Sequence, residues 1–96
     1  MTKDFVKDAA TCIITQAIED WQSLMRVEKD QTLHPEKMPE RPRRITNEAN
    51  FEEIRLFFRS GYGDELCWTI DLDASKVLAA LENMLSEQRK TYEGVA

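Results

Sequence analysis

The sequence predicts an all-α fold, a small bundle of three main helices plus a short helical turn, with a proline-rich linker between the first two helices. Three observations predict it. Two long stretches, one near each end, repeat their apolar residues at intervals of three and four, as one face of a 3.6-residue period requires. A shorter stretch between them, Phe51 to Arg59, holds three of the four phenylalanines and is followed by Gly61 and Gly63. The only alternating pattern, Leu66, Trp68, Ile70 and Leu72, is too short to have a visible partner, and an isolated strand would leave its backbone groups unpaired.

The first helix, expected over roughly 4–28, carries Phe5, Val6, Ala9, Ala10, Ile13, Ile14, Ala17, Ile18, Trp21, Leu24 and Met25 on its apolar stripe. Its alanines permit close approach, while Ile13, Ile18 and Trp21 supply most of the volume to be buried. Cys12 belongs to the same neighbourhood and reads as a small buried hydrophobe. A stripe this long also suits a seam between two chains, so monomer and homodimer through helix 1 both stay open.

Residues 30–45 set Pro35, Pro39 and Pro42 among Lys37, Arg41, Arg43 and Arg44, with almost no bulky hydrophobes. Proline lacks an N–H and steers the residue before it away from helix, so this stretch is expected to be extended or irregular. The cluster Arg41, Arg43, Arg44 reads either as a solvated loop or as a contact for an acidic partner. Thr46, Asn47 and Asn50 are candidate caps for the second helix, Asn50 standing three residues before Glu53 in a capping-box arrangement. That helix is expected over roughly 47–59, with Ile54, Phe57 and Phe58 on its apolar face.

Ser60 to Gly63 reads as a bend, because closely spaced glycines supply positive φ without steric cost. A short helical turn near 61–67 follows. Asp73 caps the last helix, expected over roughly 73–90, in which Val77, Leu78, Leu81, Met84 and Leu85 face the core. Glu82, Glu87, Arg89 and Lys90 are expected to face water.

With 96 residues, one domain with a single core is the natural size. The net charge of −5 comes from the C-terminal half, which repels phosphate backbones except through a local basic patch. Cys12 and Cys67 are far apart with no signal peptide ahead of them, so both are expected reduced and intracellular. No apolar run approaches the length of a membrane span, and no membrane association is expected.

Catalytic chemistry finds little to work with. One histidine, His34, and two separate cysteines assemble neither a hydrolytic triad nor a metal site. Asp64, Glu65, Asp71 and Asp73 lack the ligand spacing of a calcium loop, and Gly61 and Gly63 lack the lysine of a phosphate loop. The expectation is no enzyme, no metal and no cofactor. Recognition by surface remains, and Arg59, Tyr62 and Trp68, residue types enriched at interface hot spots, bracket the bend. Core or half-buried packing is the commoner fate of Tyr62 and Trp68.

The segments Ala-Ile-Glu-Asp-Trp-Gln-Ser-Leu at 17–24, Phe-Phe-Arg-Ser-Gly-Tyr at 57–62, Leu66, Ile70-Asp71 and Val77-Leu78 resemble short uncharacterised proteins encoded by phages, prophages and other mobile elements of bacteria. Gly63 stands where those proteins are expected to place a second bulky residue. The resemblance implies a long first helix, a helix ending in Phe-Phe-Arg-Ser, an aromatic turn and a last helix, and it brings no catalytic residues. It further implies a small accessory protein of the bacterial cytoplasm that binds a host protein or protein–nucleic acid complex and inhibits a host defence such as a CRISPR nuclease. The alternative is a DNA- or RNA-binding regulator that uses Arg41, Arg43, Arg44 and Arg59.

Overall fold

The computed structural model describes residues 3–34 and 42–93, with side chains described over 6–34 and 47–92. The helices are α1 (Lys3–Leu33), α2 (Pro42–Arg59), α3 (Gly61–Thr69) and α4 (Ala74–Glu93), and no described residue is in a strand. The all-α bundle is therefore what the apolar periodicity predicted. At 31 residues α1 is about 46 Å long, and it sets the long dimension of a molecule measuring 51 × 24 × 18 Å.

Three cross-links give the direction of α2 against α1. Asn47 Nδ2 donates to Gln31 Oε1 at 2.7 Å near the end of α1. Trp21 meets Phe51 in the middle, and Ile13 and Ala17 border a hollow with Phe57 toward the beginning. The two helices are thus antiparallel, and α3 lies toward the start of α1. The last helix returns alongside α1 in the same direction, since Gln88 Nε2 donates to the Met25 carbonyl at 2.8 Å and Arg89 reaches Glu28.

The core follows from these registers. Ala10, Ile14, Trp21 and Met25 from α1, Phe51 and Phe58 from α2, Cys67 from α3 and Leu78, Leu81 and Leu85 from α4 are buried. Trp21 and Phe51 are both fully buried and meet edge to face, with ring centroids 4.8 Å apart. Above them lie two guanidinium groups, Arg55 at 5.5 Å from the Trp21 ring and Arg89 at 5.9 Å from the Phe51 ring. Arg55 donates to Glu82 at 2.9 Å and to Glu52 at 3.3 Å. Arg89 grips both oxygens of Glu28, at 2.7 and 3.2 Å, and reaches Glu48 at 2.6 Å. Glu82 and Arg89, expected to face water, instead tie α4 to its neighbours.

Several other expectations are corrected. Asp30 to Leu33 continue α1, and α2 opens at Pro42, so both ends of the expected 30–45 linker are helical. Proline is well suited to the first helical position, where its missing N–H would have had no partner in the helix. Thr46, Asn47 and Asn50 consequently lie inside α2, past its first residue, instead of ahead of it. Cys12 is exposed and Cys67 is the buried thiol. Val6, Ile13 and Met84 are exposed, because the bundle covers only part of each long stripe.

Phe58 is the buried member of the Phe57–Phe58 pair, and Phe57 is half-buried, with its ring edge to both Phe58 and Tyr62. Adjacent helical positions point 100° apart, and only one of them can face the centre. Phe58→Ala is expected to lower stability by about 3–5 kcal/mol, and Phe57→Ala by clearly less, in denaturant titrations followed by circular dichroism. Equal losses would contradict this register.

Candidate functional site

Arg59, Tyr62 and Trp68, three of the six residues singled out by the sequence, lie around α3, and local chemistry explains why that short helix exists. A single residue, Ser60, separates it from α2. Ser60 is extended, at φ −76° and ψ 157°, and its Oγ accepts from the Gly63 N–H at 3.1 Å while donating to the Phe57 carbonyl at 2.7 Å. One hydroxyl therefore closes the old helix and caps the new one. At the other end, Leu72 N–H bonds the Cys67 carbonyl at 2.8 Å and Asp71 N–H bonds the Trp68 carbonyl at 3.1 Å. With Asp71 at φ 60°, this is a Schellman motif whose left-handed position is filled by aspartate instead of glycine.

The glycines act differently from expectation, since neither has positive φ. Gly61 opens α3, and a Cβ there would meet nothing within 4 Å. A Cβ on Gly63 would lie 1.9 Å from the Phe57 carbonyl oxygen. Gly63 is thus required for the close approach of α3 to the last turn of α2. Gly63→Ala is expected to cost more than the roughly 1–3 kcal/mol of ordinary overpacking, whereas Gly61→Ala leaves the melting temperature unchanged or slightly raised. Comparable melting temperatures for the two variants would contradict the close approach.

With Gly63 and Cys67 turned into the core, Trp68 points outward and is 80% exposed. Tyr62 is 60% exposed and stands edge to face with Phe57, the ring centroids 6.2 Å apart. Core packing, the commoner fate for such residues, is therefore not what the structure assigns to either. Arg59 is exposed at the end of α2 and borders a cleft of about 550 Å³ formed with the beginnings of α3 and α4. Tyr62 and Trp68 are six positions apart and sit on different sides of α3, so the three residues surround the short helix without forming one flat patch. Arg43 and Arg44 fall in the first turn of α2, but Arg41 and the side chains of all three arginines lie outside the described residues.

The electrostatics here are acidic. From Ser60 to Ser75 the chain carries Asp64, Glu65, Asp71 and Asp73 and no cation. Asp73 caps α4 as predicted, accepting from the Ser75 hydroxyl at 2.6 Å and from the Ser75 and Lys76 N–H groups at 3.0 and 3.4 Å. The Ser75 hydrogen bond is the main reason its carboxyl titrates below the ordinary range. Burial pushes the Cys67 thiol up, helped by the charges of Asp64 and Asp73, and keeps it protonated. No group of three or more His, Cys, Asp or Glu among the described residues is placed to hold a metal. No described helix is long and apolar enough to cross a membrane.

Sequence reasoning missed the cleft, whose floor is built from Phe58, Ala74 and Leu78. The available signal was the spacing Gly61, Asp64, Trp68, which puts these residues on one helical face once α3 is known to extend to Thr69. No family model, no curated protein and no solved structure matches the chain.

The contrast between the two thiols supplies a direct test of this geometry. A thiol reagent such as iodoacetamide is expected to modify Cys12 rapidly in the native protein and Cys67 only as fast as the protein opens, read by mass spectrometry of the labelled peptides. Rapid native labelling of Cys67 would show that α3 is not packed as described.

Proposed function

We propose that this protein works by docking on a macromolecular partner, with the outer face of α3 as the contact surface and Trp68 as its anchor. The observation that carries the reading is the exposure of Trp68. Large aromatic side chains are the strongest contributors at protein interfaces, and one left this open forgoes burial that the fold itself would otherwise use. Trp68 is also held on a rigid base, since α3 is capped at both ends and packed on α2 through Gly63. A contact residue of that kind loses little freedom on binding.

The resemblance to short proteins of phages and other mobile elements directs the proposal further, to an accessory protein of the bacterial cytoplasm that binds a host defence component such as a CRISPR nuclease. In this role the chain is a binder and not an enzyme. Tyr62 and Arg59 are neighbouring contacts, while Arg43 and Arg44 stand at the opposite end of α2 and take no part in this contact surface.

The test begins with a partner captured from a bacterial host and purified. Its affinity for Trp68→Ala is expected to fall about thirtyfold, the size of a hot-spot loss of about 2 kcal/mol. Leu56→Ala, which removes another exposed apolar side chain on α2, is expected to bind as the parent does. Equal binding by a folded Trp68→Ala protein would overturn the assignment.

A further inference from the structure

The cleft beside Arg59 and the exposed ring of Trp68 share one wall. Gly61, Asp64 and Trp68 follow one another at intervals of three and four on α3, so the face that borders the cleft at Gly61 and Asp64 continues to Trp68 one turn later. Gly61 keeps that wall low, since even a methyl group there would touch nothing within 4 Å. Phe58, Ala74 and Leu78 make the floor apolar.

Charge selects what fits. Arg59 is the cation bordering the cleft, whereas Asp64 and Glu82 border it with opposite sign, and Glu65 and Asp71 lie close by in the chain. Glu82 is occupied by Arg55, and Asp73 by the start of α4. Among the described residues, Asp64, Glu65 and Asp71 have no cationic partner. Unpaired carboxylates beside an exposed indole favour a cation lying on the ring, and they repel phosphate.

We propose that the cleft and Trp68 together bind a basic segment of a protein partner. One apolar side chain of the segment seats over Phe58 and Leu78, and an arginine or lysine lies on the Trp68 ring beside Asp64 and Glu65. This deepens the docking reading and rests on it, adding the chemistry of the partner.

The probe is a twelve-residue peptide alternating arginine and leucine, titrated into the isotopically labelled protein and followed by NMR. The Trp68 indole signal and the Gly61 and Leu78 amides are expected to shift saturably. Two variants are expected to weaken this binding about tenfold or more. Asp64→Asn with Glu65→Gln removes the charge, and Gly61→Leu fills the cleft in a position with room for it. Glu53→Gln with Glu87→Gln removes the same charge from elsewhere on the surface and is expected to leave the Trp68 response near the parental value. Equal weakening by both charge pairs would reduce the binding to nonspecific attraction and overturn the proposal. So would a stronger response to a glutamate–leucine peptide or to a short DNA duplex. If a captured partner depends on Trp68 while the basic peptide leaves the cleft unmoved, docking at α3 stands and the basic segment is wrong. If the peptide binds as described while the partner ignores Trp68→Ala, the error lies in the docking surface.

Discussion

The edge-to-face contact between Trp21 and Phe51, closed over by Arg55 and Arg89, is the constraint on which the rest of the bundle depends. Two fully buried rings from the middles of α1 and α2 fix the register of those helices. Guanidinium groups suit the covering position because they are flat enough to lie on aromatic faces and still present several donors at their edges. Those donors reach carboxylates on all three long helices, Glu28 on α1, Glu48 and Glu52 on α2 and Glu82 on α4. The hydrogen bond to Glu28 leads the effects that hold Arg89 above its ordinary pKa, against the opposing effect of desolvation. For Arg55 desolvation is the largest single influence, and the hydrogen bonds and charges of its glutamates together outweigh it. Burial of the rings supplies most of the stabilisation, since partly exposed ion pairs contribute little individually. The charged lid instead specifies how the helices align.

That alignment leaves a problem at the other end, and α3 answers it. Once Phe58 is buried in α2, the chain has to turn at once to return as α4, and it does so through a single serine and a nine-residue helix. Only a glycine at position 63 lets the two backbones come so close. The face of α3 that carries Gly63 and Cys67 is then committed to the core, and the flank about 100° away, with Asp64 and Trp68, is left to solvent. The exposure of Trp68 is thus a consequence of how α3 is seated. Its indole is the kind of surface that the fold gains nothing from and a partner can use.

The long stripes of α1 and α4 were legible because 3.6-residue periodicity over many residues has few competing explanations, and Asp73 was legible as a cap from its position ahead of an apolar run. The end of α1 and the start of α2 were misjudged because proline breaks a helix in its middle yet begins one well, and the sequence near Pro42 does not say which applies. Gly63 was read as a turn residue because a glycine needed for close approach looks the same in sequence as one needed for positive φ. Cys12, expected to be buried, is exposed for a related reason. Burial depends on which neighbour covers a stripe, and α1 offers more apolar surface than its partners cover. The same dependence kept Trp68 illegible, since its direction follows from the rotation of α3 on the other helices.

The fold divides the two tryptophans cleanly, one as the centre of the core and the other as the most exposed large apolar side chain described. Acrylamide quenching of tryptophan fluorescence measures that division directly. Two populations are predicted in the native protein, a blue-shifted one that resists quenching and a red-shifted one that is readily quenched, with Trp68→Phe removing the second and preserving the first. A single protected population, or loss of the blue-shifted one in Trp68→Phe, would contradict the seating of α3 and the surface built on it.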